Sequence, residues 1–420
     1  MTSGSPKRAV WAWSLYDWAN SAFSTTVMAG FFPVFFKQYW SGDASATTST
    51  FYLGLGNSLA SLLVVLLAPL LGALADRGSL RKRMLCSFAS LGAFATAGLF
   101  LVGQGQWVAA VCLYVLGALC FAGANVFYDA LLVAVSTEDD RHRVSALGYA
   151  LGYLGGGLLF AVNVMMTLQP QWFGLADPAE GVRWSFLSVA VWWMVFTVPL
   201  VLFVDEPASR GDKAPGIRAA FASLAQTARN VREYPQVWWF LIAFWFYIDG
   251  VHTAIAMAAD YGLAIGLPQE TLITALLLVQ FIGFPAALAW GRLADRIGAL
   301  RSIHITIWVY MAVTVAAVMM DSSLEFYLIA AVVGLVQGGV QSVSRSVFSQ
   351  LIPTEKAAEF FGFYNMTGKA AAVIGPLLVG VTAATTGNSR LGLLSILVLF
   401  VLGLLVLTRV RNPAARGSMP

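Results

Sequence analysis

The sequence predicts an all-α integral membrane protein whose twelve transmembrane helices form two pseudo-symmetric six-helix bundles. Three observations predict it: a composition too apolar for a water-soluble surface, the number and spacing of apolar runs, and a repeat relating the two halves of the chain. Hydrophobic residues make up 59% of the 420 and charged residues 11%, with a mean hydropathy of +0.75. A soluble globular chain carries roughly 45–50% and about 25%, so a water-soluble enzyme of this length is excluded. The net charge of +4 and pI near 9.0 would suit nucleic acid in a soluble protein. Here Lys and Arg sit in short loops between apolar runs, with no basic tract carrying interleaved stacking residues, so nucleic acid is excluded as a partner.

The apolar runs fall at residues 10–36, 51–74, 84–103, 107–134, 144–168 and 184–204 and, after a polar break, at 237–259, 271–293, 302–320, 325–350, 357–385 and 391–409. At 1.5 Å per helical residue each crosses, or nearly crosses, a hydrocarbon core about 30 Å thick. Charges or turn residues bound them. The first follows Lys7-Arg8, the second stops at Asp76-Arg77, and the third begins after Arg81-Lys82-Arg83. The fourth ends before Glu138-Asp139-Asp140, the fifth follows Arg141 and Arg143, and the sixth stops at Asp205-Glu206. In the second half, the seventh follows Pro235, the eighth stops at Arg292, and the ninth lies between Arg301 and Asp321. The tenth ends before Pro353, the eleventh lies between Lys356 and Gly387-Asn388, and the twelfth runs from Arg390 to Arg409. The chain thus divides into an N-terminal bundle (1–204), a linker (205–236) and a C-terminal bundle (237–420). Within the linker, Ile217, Phe221, Leu224 and Val231 oppose Arg218, Arg229 and Arg232, which suits an interfacial helix as well as a solvated connection.

With the N-terminus inside, 21 Lys and Arg fall on the cytoplasmic side and three, Lys37, Arg183 and Arg390, outside. The positive-inside bias therefore places both termini in the cytoplasm. Lys7 and Arg8 precede an apolar run as in a leader, but the run reaches Phe36, contains Asp17 and lacks a small-residue cleavage pattern, so it is read as a retained first helix. Cys86, Cys112 and Cys120 lie in apolar runs without a CxxC pair, which indicates neither a disulfide framework nor a metal site.

Gly72-Ala-Leu-Ala-Asp76-Arg77 after the second span matches Gly291-Arg-Leu-Ala-Asp295-Arg296 after the eighth, at an offset of 219 residues. The same offset carries Gly156 onto Gly375. A duplicated six-helix unit resembles the major facilitator superfamily, in which two bundles rock about a midplane site. The resemblance implies a gating role for Asp76, Arg77, Asp295 and Arg296. The first copy reads Gly78-Ser79-Leu80-Arg81 where the signature has Gly one position later.

Tyr16-Asp17-Trp18-Ala19-Asn20-Ser21-Ala22-Phe23 in the first span, Val144 to Gly157 in the fifth, and Ser344-Arg345-Ser346, Phe360-Phe361-Gly362-Phe363-Tyr364 and Gly375-Pro376 in the tenth and eleventh are similar to the autophagy-related vacuole effluxer branch, bacterial members included. The resemblance covers essentially the whole chain. It implies a small-solute transporter, the branch being described as exporting amino acids from vacuoles. The seventh-span pattern Tyr-Asn-Asp-Gly-x-Gln-Thr reads Tyr247-Ile248-Asp249-Gly250-Val251-His252-Thr253 here, with Ile for Asn and His for Gln.

Ionisable residues within a span cost about 2.5–3.5 kcal/mol at its centre, so they face the bundle interior or water. Asp17 lies about 10 Å inside the cytoplasmic edge, and Asp249 and Lys369 about 16–18 Å. Asp17, Asn20, Ser21 and Ser24 share a helix face beside Tyr16. Asp249, His252 and Thr253 form a second stripe beside Tyr247, and Asn365 and Lys369 a third, while Gln337 and Gln341 line one face of the tenth helix. Two carboxylates and an ammonium offer both ends of a zwitterion a partner, and a desolvated Asp is suited to carrying a proton. Each stripe also suits polar packing between helices. The cytoplasmic-end aromatics, Trp11 and Trp13 among them, suit a headgroup belt. Asp129 and Arg345, near the same ends of the fourth and tenth spans, are expected to form an inner-gate ion pair; lying at headgroup level is the alternative.

No HExxH, nucleophile elbow or GxxxxGK[ST] loop occurs, so no catalytic residue, metal, cofactor or ATP-driven step is expected. The expected function is secondary active transport of a small polar solute, an amino acid or similar zwitterion leading, by alternating access with protons as the candidate coupling ion. A lipid or amphipath transporter of the same fold and a non-transporting membrane sensor are the alternatives. The expected setting is a bacterial inner membrane, with the lipid bilayer and a small molecule as partners of a monomer.

Overall fold

The computed structural model describes residues 7–41, 46–76, 80–206, 233–264, 266–371 and 374–411. Among them the secondary structure is helical, with no strand, and forms twelve successive spans. The first, α1, starts as an α-helix over Lys7–Ala22, continues as a π-helix over Phe23–Phe31 and closes with Phe32–Phe35 and a π-turn at Phe36–Trp40. The rest of the first half is α2 (Ala46–Asp76), α3 (Arg81–Gly98), α4 (Trp107–Val135), α5 (Arg141–Leu168) and α6 (Pro178–Phe203). The second half is α7 (Pro235–Ala264), α8 (Gln269–Ile297), α9 (Ala299–Val318) and α10 (Ser323–Leu351). It ends with α11, built from Ala357–Ala370 and Ile374–Thr386, and α12, built from Ser389–Leu394 and Ile396–Leu407. Eleven helices are individually long and apolar enough to cross a bilayer; α1 is divided into shorter pieces by its π-segments.

Most boundaries fall within a turn of those expected. Two differ more. α6 begins at Pro178 rather than 184, because the Asp177 side chain accepts a hydrogen bond from Glu180 N and Pro178 fits the first turn. α7 runs to Ala264 rather than 259. The linker face of Ile217, Phe221, Leu224 and Val231 lies outside the described residues. Large apolar side chains such as Leu66, Phe94, Leu202, Leu328 and Leu377 are more than half exposed along these helices, a surface suited to lipid rather than water.

The packing repeats between halves. α1 lies against α5 and α6, and α7 against α11 and α12. The halves meet through α2 against α11 and α5 against α8. On the side carrying Lys7, Asp76, Arg141 and Val410, called the basic side below, these contacts are backbone-close. A Cβ on Gly72 would collide with the Ala358 carbonyl oxygen, and one on Gly362 would come 2.6 Å from that of Ala68. On Gly291 it would come 2.5 Å from the Ala146 methyl. Further along, Gln280 Nε2 donates to Thr25 Oγ1 at 2.9 Å across the halves. Hydrogen bonds and ion pairs among the described residues join the halves from the basic side up to this level, so the basic side is closed.

Candidate functional site

The centre of that closure is Arg345, 2% exposed on α10. Its Nη1 lies 3.2 Å from Asp129 Oδ1 on α4 and 3.5 Å from Asp17 Oδ2 on α1. Nε donates to Ser145 Oγ at 3.0 Å and Nη2 to the Ser145 carbonyl at 2.8 Å, both on α5. The guanidinium carbon sits 4.2 Å from the Tyr149 ring centre, 5.0 Å from Trp13 and 5.3 Å from Tyr128, so the cation is wrapped by ring faces as well as anions. Asp17 also accepts from Tyr128 OH at 3.1 Å and from Ser21 at 3.4 Å. Asp129 accepts from Asn365 Nδ2 on α11 at 3.1 Å. One side chain of the second half is thus held by three helices of the first.

The sequence folds this way because α5 carries glycine every fourth residue. A Cβ on Gly148 would meet Tyr128 OH, Arg345 Nη2 and the Trp13 ring; on Gly152, Ser21 and Asp17; on Gly156, Thr25. The run is the groove that receives α1 and the arginine. The ion pair expected between Asp129 and Arg345 is present, and Asp17 joins it. This separates Asp17 from Asp249, with which the sequence had grouped it, because helix depth fixes height but not the direction in which a side chain points.

Asp249 is elsewhere engaged. Both its oxygens accept from Gly375 N, at 3.1 and 3.0 Å, and Oδ1 accepts from Thr253 at 3.2 Å. It caps the start of the second segment of α11, where Pro376 brings no N–H of its own. Gly375 is required there: a Cβ would collide with Thr253 Oγ1. Among the described residues no ion pair joins Asp249 to Lys369. Lys369 and His252 are half-buried, and Lys369 has no ion pair among the described residues.

Of the other candidates, Tyr16 is fully buried against Tyr128, ring centres 5.1 Å apart. Asn20 donates to Asn125 at 2.6 Å within the first half. Tyr247 OH and Ser344 Oγ lie 2.7 Å apart within the second. Gln341 accepts from Tyr153 across the halves at 3.1 Å, and Gln337 is half-buried on the same helix. Trp13 is corrected from belt to core: it is fully buried, stacks on Tyr128 at 4.4 Å and donates to that residue's carbonyl at 2.9 Å. Trp11 is 52% exposed, as a belt residue would be.

At the repeated loops, Asp76 accepts from Ala358 N at 3.0 Å and Glu359 N at 2.7 Å, capping α11, and pairs with Arg81 at 2.6 Å. Arg77 lies outside the described residues. Asp295 pairs with Arg143 of α5, and Arg296 is exposed. Sequence reasoning missed Ser145, Tyr128, Tyr149 and Asn125. A buried arginine demands such a shell, and Ser145 and Tyr149 lay in a segment already singled out.

A duplicated bundle pair, closed on one side by a buried ion cluster and carrying a half-buried lysine at mid-depth, defines a multi-pass membrane transporter of the major facilitator fold. Solved structures agree: the human organic anion transporter MFSD10 superposes with a TM-score of 0.74 at 15% identity, covering 96% of this chain and 99% of that one. The proton:xylose symporter XylE gives 0.68 at 14%, covering 97% and 95%. The chain belongs to the family described as "Vacuole effluxer Atg22 like", which matches residues 5–418. It is 37% identical over 401 residues to the MFS-type transporter YxiO of Bacillus subtilis, covering 95% of this chain and 94% of that relative. To autophagy-related protein 22 of Eremothecium gossypii it is 24% identical over 448 residues, covering 91% and 87%. The relatives found are MFS-type transporters, not enzymes.

Proposed function

We propose that the protein moves a small polar solute, with an amino acid or similar zwitterion as the leading class, by alternating access across a bacterial inner membrane whose cytoplasmic face meets the basic side. The rocking bodies are residues 1–204 and 237–420, joined by 205–236. Arg345, Asp129 and Asp17 form the inner lock, with Asn365 bridging to α11. The observation that carries this reading is Lys369: an ammonium about 18 Å along α11, half-buried and without an ion pair among the described residues, supplies a counter-charge for a substrate carboxylate. An amphipath would gain little from a charge at that depth. His252 and Gln337, also half-buried, supply neutral polar contacts. Protons are the proposed coupling ion, because one guanidinium faces two carboxylates in the lock and the cluster is one positive charge short.

Thermal-shift screening of the purified protein against amino acids, sugars, nucleosides and lysolipids tests the substrate class. A zwitterion should raise the melting midpoint, and Lys369→Met should abolish that rise. Stabilisation by lysolipid alone, unchanged in the variant, would reject the polar-solute reading. In proteoliposomes, Asp17→Asn should impair uptake driven by a pH gradient while sparing substrate exchange. Parental rates in both assays would reject proton coupling through the lock.

A further inference from the structure

We propose that the cleft between α5 and α8 on the basic side binds a phosphate-bearing anion, supplied as an anionic phospholipid headgroup or as a soluble phosphate. The cleft has a volume of about 270 Å³ and is lined by Arg143, Arg292, Asp295 and Arg296. Three guanidinium groups face one carboxylate there, a net charge of +2. The carboxylate is committed to Arg143. Arg292 and Arg296 are exposed, four residues apart on one face of the last turns of α8, and make no hydrogen bond or ion pair among the described residues.

Membrane topology asks for positive charge on this side, but not for arginines that converge without partners. Arg81 is engaged with Asp76, Lys82 with the Val204 carbonyl, Arg141 with the Ser349 carbonyl and Arg345 in the lock, while Arg83, Arg301 and Lys356 stand apart from the cleft; Arg292 and Arg296 differ from all of these in lining one cleft with Arg143. Guanidinium forks match phosphate oxygens bidentately; a soluble phosphate dianion balances the charge of the cleft, and a phosphodiester headgroup neutralises half of it. The site lies apart from the solute-binding residues near Lys369 and is independent of the substrate reading. Arg143 belongs to the first half and Arg292 and Arg296 to the second. An anion bound to both therefore bridges the halves where they are closed, and closing the basic side raises its affinity in return.

The test compares melting midpoints of the purified protein in two arms. In detergent, sodium phosphate is set against sodium chloride at equal ionic strength. In nanodiscs, phosphatidylcholine containing phosphatidylglycerol is set against phosphatidylcholine alone. At least one arm should raise the midpoint by roughly 2 °C at saturation. The double variant Arg292→Gln/Arg296→Gln should lose the shift, and Arg301→Gln, outside the cleft lining, should keep it. A response to phosphate in detergent assigns a soluble anion; one confined to phosphatidylglycerol discs assigns the headgroup. No shift in either arm, a shift that survives in the double variant, or a shift lost equally in Arg301→Gln overturns the proposal.

Discussion

The two copies of the Gly-x-Leu-Ala-Asp-Arg loop share their residues but not their outcome. The Asp76 side chain is 5% exposed, caps two amides of α11 and holds Arg81; among the described residues Asp295 pairs with the exposed guanidinium of Arg143. The difference lies in the helix each loop meets. α11 opens with Ala357, Ala358 and, a turn on, Gly362, so α2 approaches backbone to backbone and the carboxylate reaches free N–H groups. α5 opens with Arg141-His142-Arg143, and the loop after α8 meets side chains instead. A repeated motif thus sets where a carboxylate stands, while the partner helix decides whether it becomes a buried cap or a surface ion pair.

The lock between the two clamps should outweigh both. Arg345→Met leaves Asp17 and Asp129 buried without their cation and should destabilise the fold by about 3–5 kcal/mol, read as a lowered melting midpoint and lost transport. In a double-mutant cycle, exchanging the charges of Asp129 and Arg345 should recover much of what either reversal removes; strict additivity would deny a direct coupling. Next comes the buried clamp. Asp76→Asn should destabilise by about 1–3 kcal/mol and speed alkylation of a cysteine placed at Ala68 on the α2–α11 seam, whereas equal labelling with and without the substitution would show that the cap does not hold the seam shut.

The glycines separate the clamps more finely. Gly72→Ala sets a methyl against a backbone oxygen, so no side-chain change can relieve it, and a destabilisation of about 1–3 kcal/mol is expected. Gly291→Ala clashes with a methyl, and Ala146→Gly should restore its melting midpoint. Failure of that rescue would place the strain elsewhere. The smallest effect belongs to Asp295→Asn, below about 1 kcal/mol and fading further in 1 M salt. A loss as large as that of Asp76→Asn would erase the distinction between the two loops.

Much of this was legible in the sequence. Twelve apolar runs located twelve spans, and the charges at their ends singled out Asp129 and Arg345 as a pair. Depth along a helix, however, says nothing of azimuth, so Asp17 was grouped with Asp249 although it points at Tyr128 and Arg345. The partner of Asp249 is the amide of Gly375, which no residue name reveals. Nor does α-helical spacing anticipate the π-helix over Phe23–Phe31, beyond which an i, i+3, i+4 stripe no longer marks one face.

The ring-lined seat of Arg345 has a mechanical consequence. A carboxylate grips a guanidinium in a narrow range of geometries, whereas the faces of Trp13, Tyr128 and Tyr149 attract it over a broad one. In the alternating-access cycle proposed above, a tilt of the first helix against the tenth would let the cation slide from anion to aromatic face without crossing bare hydrocarbon. The contact would then act as a bearing rather than a bolt, letting the bundles begin to turn before the charges have fully parted.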